Sequence, residues 1–191
     1  MGNSKLHNQG TGFRTRKYEN THDFYKTPQW AVDAILEREE LEGEVLDPCC
    51  GDGAIASRIK ELFPQCWVDA DDLIDRGYGR PNIDYLLEPI MPYDAVVMNP
   101  PFSFAEEFIR KALLQTEARK GKVLNISRLS LLEGQKRLKL FQEFPPARVW
   151  VFSKRVNYFD PEGREIQSAS SNCWTVWDWG TMGQPTELKW I

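Results

Sequence analysis

The stretch Asp47-Pro48-Cys49-Cys50-Gly51-Asp52-Gly53-Ala54 decides the fold. It follows a short strand signal, Glu44 to Asp47, and opens into a helical pattern from about Ala54 to Phe63, with Ile55, Ile59 and Leu62 inward and Pro64 as the stop. Glycines at 51 and 53 permit a tight turn between strand and helix and leave room for a ligand to approach the backbone. The helix N-terminus adds free amide donors there.

Outward from that turn, Thr27-Pro28 begins an earlier helix with Trp30, Ala31, Ile35 and Leu36 on one face. A second strand at Cys66 to Ala70 ends in Asp71-Asp72. With Ala56 the turn satisfies G-x-G-x-x-A, and an acid 20 or 21 residues beyond Gly51 stands where a ribose would be bonded. Nucleotide and S-adenosylmethionine binders share that spacing, so the turn alone does not choose between them. Asp84 is expected after a third strand region, near an adenine ring.

Further strands are expected at Tyr93 to Met98, Lys122 to Ile126, Ala147 to Phe152 and Asn172 to Trp179, with helices over Phe104 to Arg119 and Glu133 to Phe144. The alternation implies an α/β, Rossmann-like fold: a mostly parallel sheet with helices on both faces and an antiparallel edge hairpin from the last two strands. Trp174, Trp177 and Trp179 are read as one face of the final strand, serving as core or sheet cover.

The chain has 191 residues, 41% hydrophobic and 27% charged, which fits one globular domain over 23–191 behind a basic arm at 1–22. No apolar run approaches the roughly 20 residues of a membrane span, and the polar start has no secretory h-region, so a cytoplasmic protein is expected. The net charge of −4 is uneven. Residues 31–109 hold five basic against eighteen acidic residues (−13), and 110–155 hold twelve against three (+9), which suggests two faces with different partners. The four cysteines show no zinc spacing, and adjacent Cys49 and Cys50 read as small residues in a tight turn rather than a redox pair. His7 and His22 are the only histidines, so neither histidine catalysis nor a metal site is expected.

The second informative stretch is Asn99-Pro100-Pro101-Phe102, directly after Asp94-Ala95-Val96-Val97-Met98. Two prolines stiffen the turn at the carboxyl end of a strand, where open α/β sheets bind ligands. The Asn99 side-chain carbonyl and the Pro100 main-chain carbonyl would then form a pair of acceptors, suited to the two N–H groups of an exocyclic amine. Phe102 would offer a face on which an extruded base stacks.

With these residues together, the chain resembles class I S-adenosylmethionine-dependent methyltransferases and, within them, the short N6-adenine DNA methyltransferases of phages and mobile elements. The resemblance covers residues 23 to about 130. It implies cofactor contacts from Tyr25, Thr27, Pro28, Asp47, Pro48, Cys49, Gly51, Gly53, Asp71, Asp72, Asp84 and Asn99, with Tyr25 packing on the methionine end and Thr27 meeting its carboxylate. It implies Asn99, Pro100, Pro101 and Phe102 as the catalytic turn and DNA as the partner, without membrane or metal. Phe102, Lys122, Arg128, Arg155 and Tyr158 are the candidate substrate contacts, the basic ones drawn from the +9 segment. Asn-Pro-Pro also serves enzymes that methylate RNA bases or protein glutamine. The same fold signals would suit a catalytically silent nucleic-acid-binding or anti-restriction module, or a nicotinamide oxidoreductase, the last weakened by the want of a proton donor beside the turn. Phe102 stands where tyrosine or tryptophan is commoner in the family, which keeps stacking and loses a hydroxyl.

Overall fold

Every residue of Ala95–Met98 is apolar and buried, as expected of a parallel strand covered on both faces. This is β3 of a computed structural model that describes residues 25–160, 163–166 and 170–191. The basic arm, Phe24, both histidines and part of the loop 157–171 lie outside the described residues. The other strands are β1 (Glu44–Asp47), β2 (Trp67–Ala70), β4 (Lys122–Arg128), β5 (Arg148–Val151), β6 (Tyr158–Phe159), β7 (Glu165–Ile166), β8 (Asn172–Asp178) and β9 (Glu187–Trp190).

Seven of them form one sheet in the order β2-β1-β3-β4-β8-β5-β9, while β6 and β7 make a small separate ribbon. β2, β1, β3 and β4 are mutually parallel; β8 runs antiparallel to both β4 and β5. The expected late hairpin is therefore present, and β9 adds beyond it, parallel to β5.

Helices cover both faces. α1 (Gln29–Leu36) and α2 (Ala54–Leu62) bury Ile35, Ile55 and Ile59 against Val97, Leu124, Ile126 and Trp174 on one side. On the other, α3 (Ala105–Glu117) and α4 (Leu138–Glu143) bring Ile109, Leu113 and Leu140 against Val96, Met98 and Trp177. Among the described residues no helix is long and apolar enough to cross a membrane.

Three expectations are corrected. Trp174 and Trp177 do not share a face: three residues apart on a strand of period two, they fall into opposite cores. The Trp174 indole N–H donates to Ala31 O at 2.9 Å and that of Trp177 to Phe144 O at 2.8 Å. Trp179 lies past the strand, in a 3-10 turn. No strand forms between Ala70 and Ala95; residues around Asp84 make turns, with Leu87 and Glu88 N–H donating to Asp84 O. The helix expected over 133–144 is a 3-10 turn at Gln135–Arg137 followed by the short α4, after Gly134 at φ 103° interrupts the helical path.

Fold contacts join part of the acidic segment to part of the basic one. Arg119 pairs with Asp94 and Glu44, Arg110 with Glu106 and Glu143, and Arg148 with Glu39 and Asp178. Glu39, 3% exposed, also receives Lys122 and the Trp150 indole N–H. Lys111, one of the twelve basic residues of the +9 segment, is buried and donates to the carbonyls of Tyr85 and Glu88.

Candidate active site

The chain leaves β1 toward β2 on one side and β3 toward β4 on the other, so the loops at their carboxyl ends diverge and open a crevice. The loop after β1 supplies Pro48, Cys49 and Gly51 to this cleft; the turn after β3 supplies Asn99 and Pro101. Asp72, Ile74, Ile83 and Asp84 line one end, and Tyr25, Lys26 and Thr27 the other. The cleft holds about 860 Å³ of space between its walls, its open mouth included. Among the described residues no group of acids, histidines and cysteines is placed to hold a metal ion.

Gly51, at φ 57°, donates its N–H to Asp72 Oδ2 at 2.8 Å, and Ile74 N–H donates to Asp72 Oδ1 at 2.9 Å. One carboxylate thus locks the glycine turn to the segment after β2 while lining the cleft. Gly53, at φ 89°, has a different cause from the one expected: an added Cβ would stand 2.5 Å from the Tyr78 ring, so that space belongs to Tyr78 rather than to a ligand. Gly53→Ala is expected to cost about 1–3 kcal/mol from left-handed strain alone, with a further loss from the ring. A thermal melt checks it: Gly53→Ala/Tyr78→Ala should recover only the steric part.

Asp47 lies beneath the turn, wholly buried; Oδ1 accepts from Cys49 N at 3.5 Å and Oδ2 has no partner among the described residues. Burial pushes its pKa up to about 8, with Asp72 and Asp71 adding repulsion. The folded protein therefore keeps a proton that the unfolded chain releases near pH 4, so this group lowers stability progressively between about pH 4 and 8. Asp47→Asn should flatten that slope, raising the melting temperature more at pH 8 than at pH 5. Burial also raises the Cys49 thiol well above its ordinary value and Cys50 to about 12; both stay protonated at neutral pH and neither is poised as a nucleophile.

At the turn after β3 the Asn99 amide is oriented by its own donors. Nδ2 donates to Tyr25 O and to Thr27 Oγ1, each at 3.0 Å. Oδ1 accepts no hydrogen bond among the described residues and is left as an acceptor at the cleft. The 25–27 segment is a strap, held also by Lys26 N–H to Phe159 O (3.1 Å), Phe159 N–H to Lys26 O (3.3 Å) and a Lys26–Asp52 ion pair of 2.6 Å. Beside the turn, Tyr25 stacks on Phe102 with centroids 5.8 Å apart and planes 21° apart; Tyr158 meets Phe102 edge-on at 6.4 Å. The Arg128 guanidinium lies over the Phe102 ring, 4.7 Å from its centroid.

Tyr25, Thr27, Pro48, Cys49, Gly51, Asp72, Asp84, Asn99 and Pro101 thus line one cleft. Pro28, Asp47 and Pro100 are buried and support it from beneath or beside. Asp71 is not in the lining: Arg80 holds both its oxygens, at 2.7 and 2.9 Å, so of the two acids expected near a ribose Asp72 is the one at the cleft. Lys122 is misplaced as a substrate contact. It begins β4, at the edge opposite the cleft, roughly 20 Å along the strand from Arg128, and is held by Glu39 and Glu40 O. Tyr158 is buried and its hydroxyl accepts from Asn172 Nδ2 at 2.9 Å, which makes it a support for Tyr25 and Phe102. Arg155, beyond the carboxyl end of β5, donates to Ser171 Oγ at 3.3 Å.

Sequence reading missed Lys26, Lys111, Tyr85 and Phe108. Lys111 and Gln115 fix Tyr85 from α3, the latter through a 2.6 Å bond from the tyrosine hydroxyl. Their signal was present: Phe108, Lys111 and Gln115 follow i, i+3, i+7 spacing on the buried side of the helix.

No protein-family model matches the chain, and no curated protein matches it in sequence. Solved structures share its fold. The methyltransferase subunit of a type I restriction-modification system from Streptococcus thermophilus superposes with a TM-score of 0.60 at 16% identity, over 81% of this chain and 44% of that one. A Pyrococcus horikoshii protein provisionally assigned as an RNA methyltransferase gives 0.59 at 15%, over 82% and 86%. Precorrin-6y C5,15-methyltransferase from Geobacter metallireducens gives 0.54 at 16%, over 83% and 92%. The chain spans less than half the length of the first of these. At such identities the likeness establishes the fold, Rossmann-like and shared with methyltransferases. Proteins as different as a restriction-modification subunit and a precorrin enzyme have it, so it selects no acceptor.

Proposed function

We propose that this chain is an S-adenosylmethionine-dependent methyltransferase acting on the exocyclic N6 amine of adenine in DNA, with residues 23–191 as one catalytic domain. The observation that carries this reading is the Asn99 amide, whose two N–H groups are consumed by Tyr25 O and Thr27 Oγ1 so that its carbonyl serves only as an acceptor. An amide free to rotate could offer a donor; this one cannot without breaking both bonds.

The donor set fits the cofactor. Asp72 keeps acceptor capacity on both oxygens for ribose hydroxyls, Ile74 and Ile83 offer an apolar slot with Asp84 beside it for a purine and its amine, and the strap closes the far end. Bound there, S-adenosylmethionine supplies an electrophilic methyl carbon. The chain's own residues orient the acceptor. Asn99 Oδ1 and the Pro100 carbonyl accept hydrogen bonds from the two amine N–H groups, which draws the nitrogen lone pair out of conjugation with the ring. Phe102 holds the base plane. Rigid acceptors aimed where positive charge develops stabilise the transition state at no reorganisation cost.

Labelled methyl transfer to DNA, RNA and protein, run side by side, tests the proposal. Label in DNA is the expected result; label in protein alone would sink the adenine assignment. An absence of cofactor binding by calorimetry would favour the silent nucleic-acid-binding module.

A further inference from the structure

Resting on that reading, we infer that Arg128 is the gate of the target-base slot: it occupies the Phe102 ring in the free enzyme and moves to the substrate's backbone phosphate when a base enters.

The approaches to Phe102 are already filled. Tyr25 is stacked on it, Tyr158 stands at its edge and the Arg128 guanidinium lies over it at 4.7 Å. A nucleobase that stacks on this ring must displace one of the three. Tyr25 is pinned through its carbonyl and the strap's two bonds to Phe159, and Tyr158 is buried with its hydroxyl held by Asn172. Arg128 is different. It is exposed at the carboxyl end of β4 and its side chain makes no ion pair or hydrogen bond among the described residues, unlike those of Arg110, Arg119 and Arg148. Its contact there is the ring face.

A guanidinium is planar, so it stands in for a base on an aromatic face, and its five donors match a phosphate in two-pronged fashion. Stacking uses none of those donors. A phosphate beside the slot therefore offers Arg128 more than the ring does, and the exchange empties the ring as the strand arrives. Backbone binding and base entry become one event, which selects a nucleotide within a strand over a free nucleoside.

The test compares Arg128→Ala and Arg128→Lys with the unaltered protein, using a short single strand of adenine-containing DNA and, separately, adenosine, which has no phosphate. For Arg128→Ala the DNA KM should rise about tenfold, and the slope of log affinity against log salt, read by fluorescence anisotropy, should fall by about one. Its KM for adenosine should stay level or fall, because the slot is now open. Arg128→Lys should keep the salt slope. Equal losses on DNA and adenosine would mean that Arg128 merely braces Phe102 and would overturn the gate, as would an unchanged salt slope. If the unaltered protein methylates DNA and Arg128→Ala behaves like it, the gate fails while the enzyme assignment stands. If the unaltered protein neither methylates nor binds DNA, the assignment itself fails. An unchanged melting temperature for Arg128→Ala, expected of an exposed side chain, certifies the fold.

Discussion

Asn99→Ala is expected to lower the methyl-transfer rate by at least about 100-fold, the scale seen when one oriented polar group is removed from a transition state. Two losses combine in this variant. The acceptor for the amine hydrogen disappears, and the strap loses the donor that holds Tyr25 O and Thr27 Oγ1. Asn99→Asp separates them. It keeps acceptor oxygens at the same place but cannot donate, and it sets a carboxylate oxygen against the Tyr25 carbonyl. We expect Asn99→Asp to bind cofactor more weakly, as measured by calorimetry, while retaining much more of the rate at saturating cofactor than Asn99→Ala. Full activity in Asn99→Ala would show that the turn has another role.

The largest stability effect is expected at Trp174→Ala, at about 3–5 kcal/mol, which lowers the melting temperature by roughly 10 °C in a chain of this size. The indole is fully buried among Ile35, Leu124 and Ile126, and its N–H satisfies Ala31 O. Truncation leaves a cavity between sheet and α1 and removes the indole bond to Ala31 O, which keeps only its helical partner, Ile35 N–H. Trp174→Phe should cost about 1–2 kcal/mol, chiefly the bond. Trp190→Ala, on a side chain 65% exposed, should fall within about 0.5 kcal/mol of the unaltered protein. Urea melts with an unchanged slope check all three.

What could be read along the chain was whatever neighbours in sequence determine. Residues 44–54 specify a buried strand, a turn that only glycine permits and a helix start, and the structure places them at those positions. Asn99-Pro100-Pro101 is legible for the same reason. The tryptophans needed only correct counting: with period two, 174 and 177 must part. Glu187–Trp190 carried an alternating polar and apolar signal too, and went unread as β9.

Long-range pairing was not legible. Nothing local says that Tyr78 packs on Gly53, that Arg80 claims Asp71, or that Glu39 takes Arg148 from 109 residues away. Those contacts explain why net charge per segment misled. Arg110, Arg119, Lys122 and Arg148 of the +9 stretch pair with acids of the −13 stretch, while Arg128 beside the cleft has no carboxylate partner among the described residues.

The most direct test is nucleoside analysis of DNA after incubation with the protein and S-adenosylmethionine carrying a deuterated methyl group. The expected result is N6-methyldeoxyadenosine bearing the deuterium, lost in Asn99→Ala. Deuterium in deoxycytidine, or in RNA or protein with none in DNA, would contradict it.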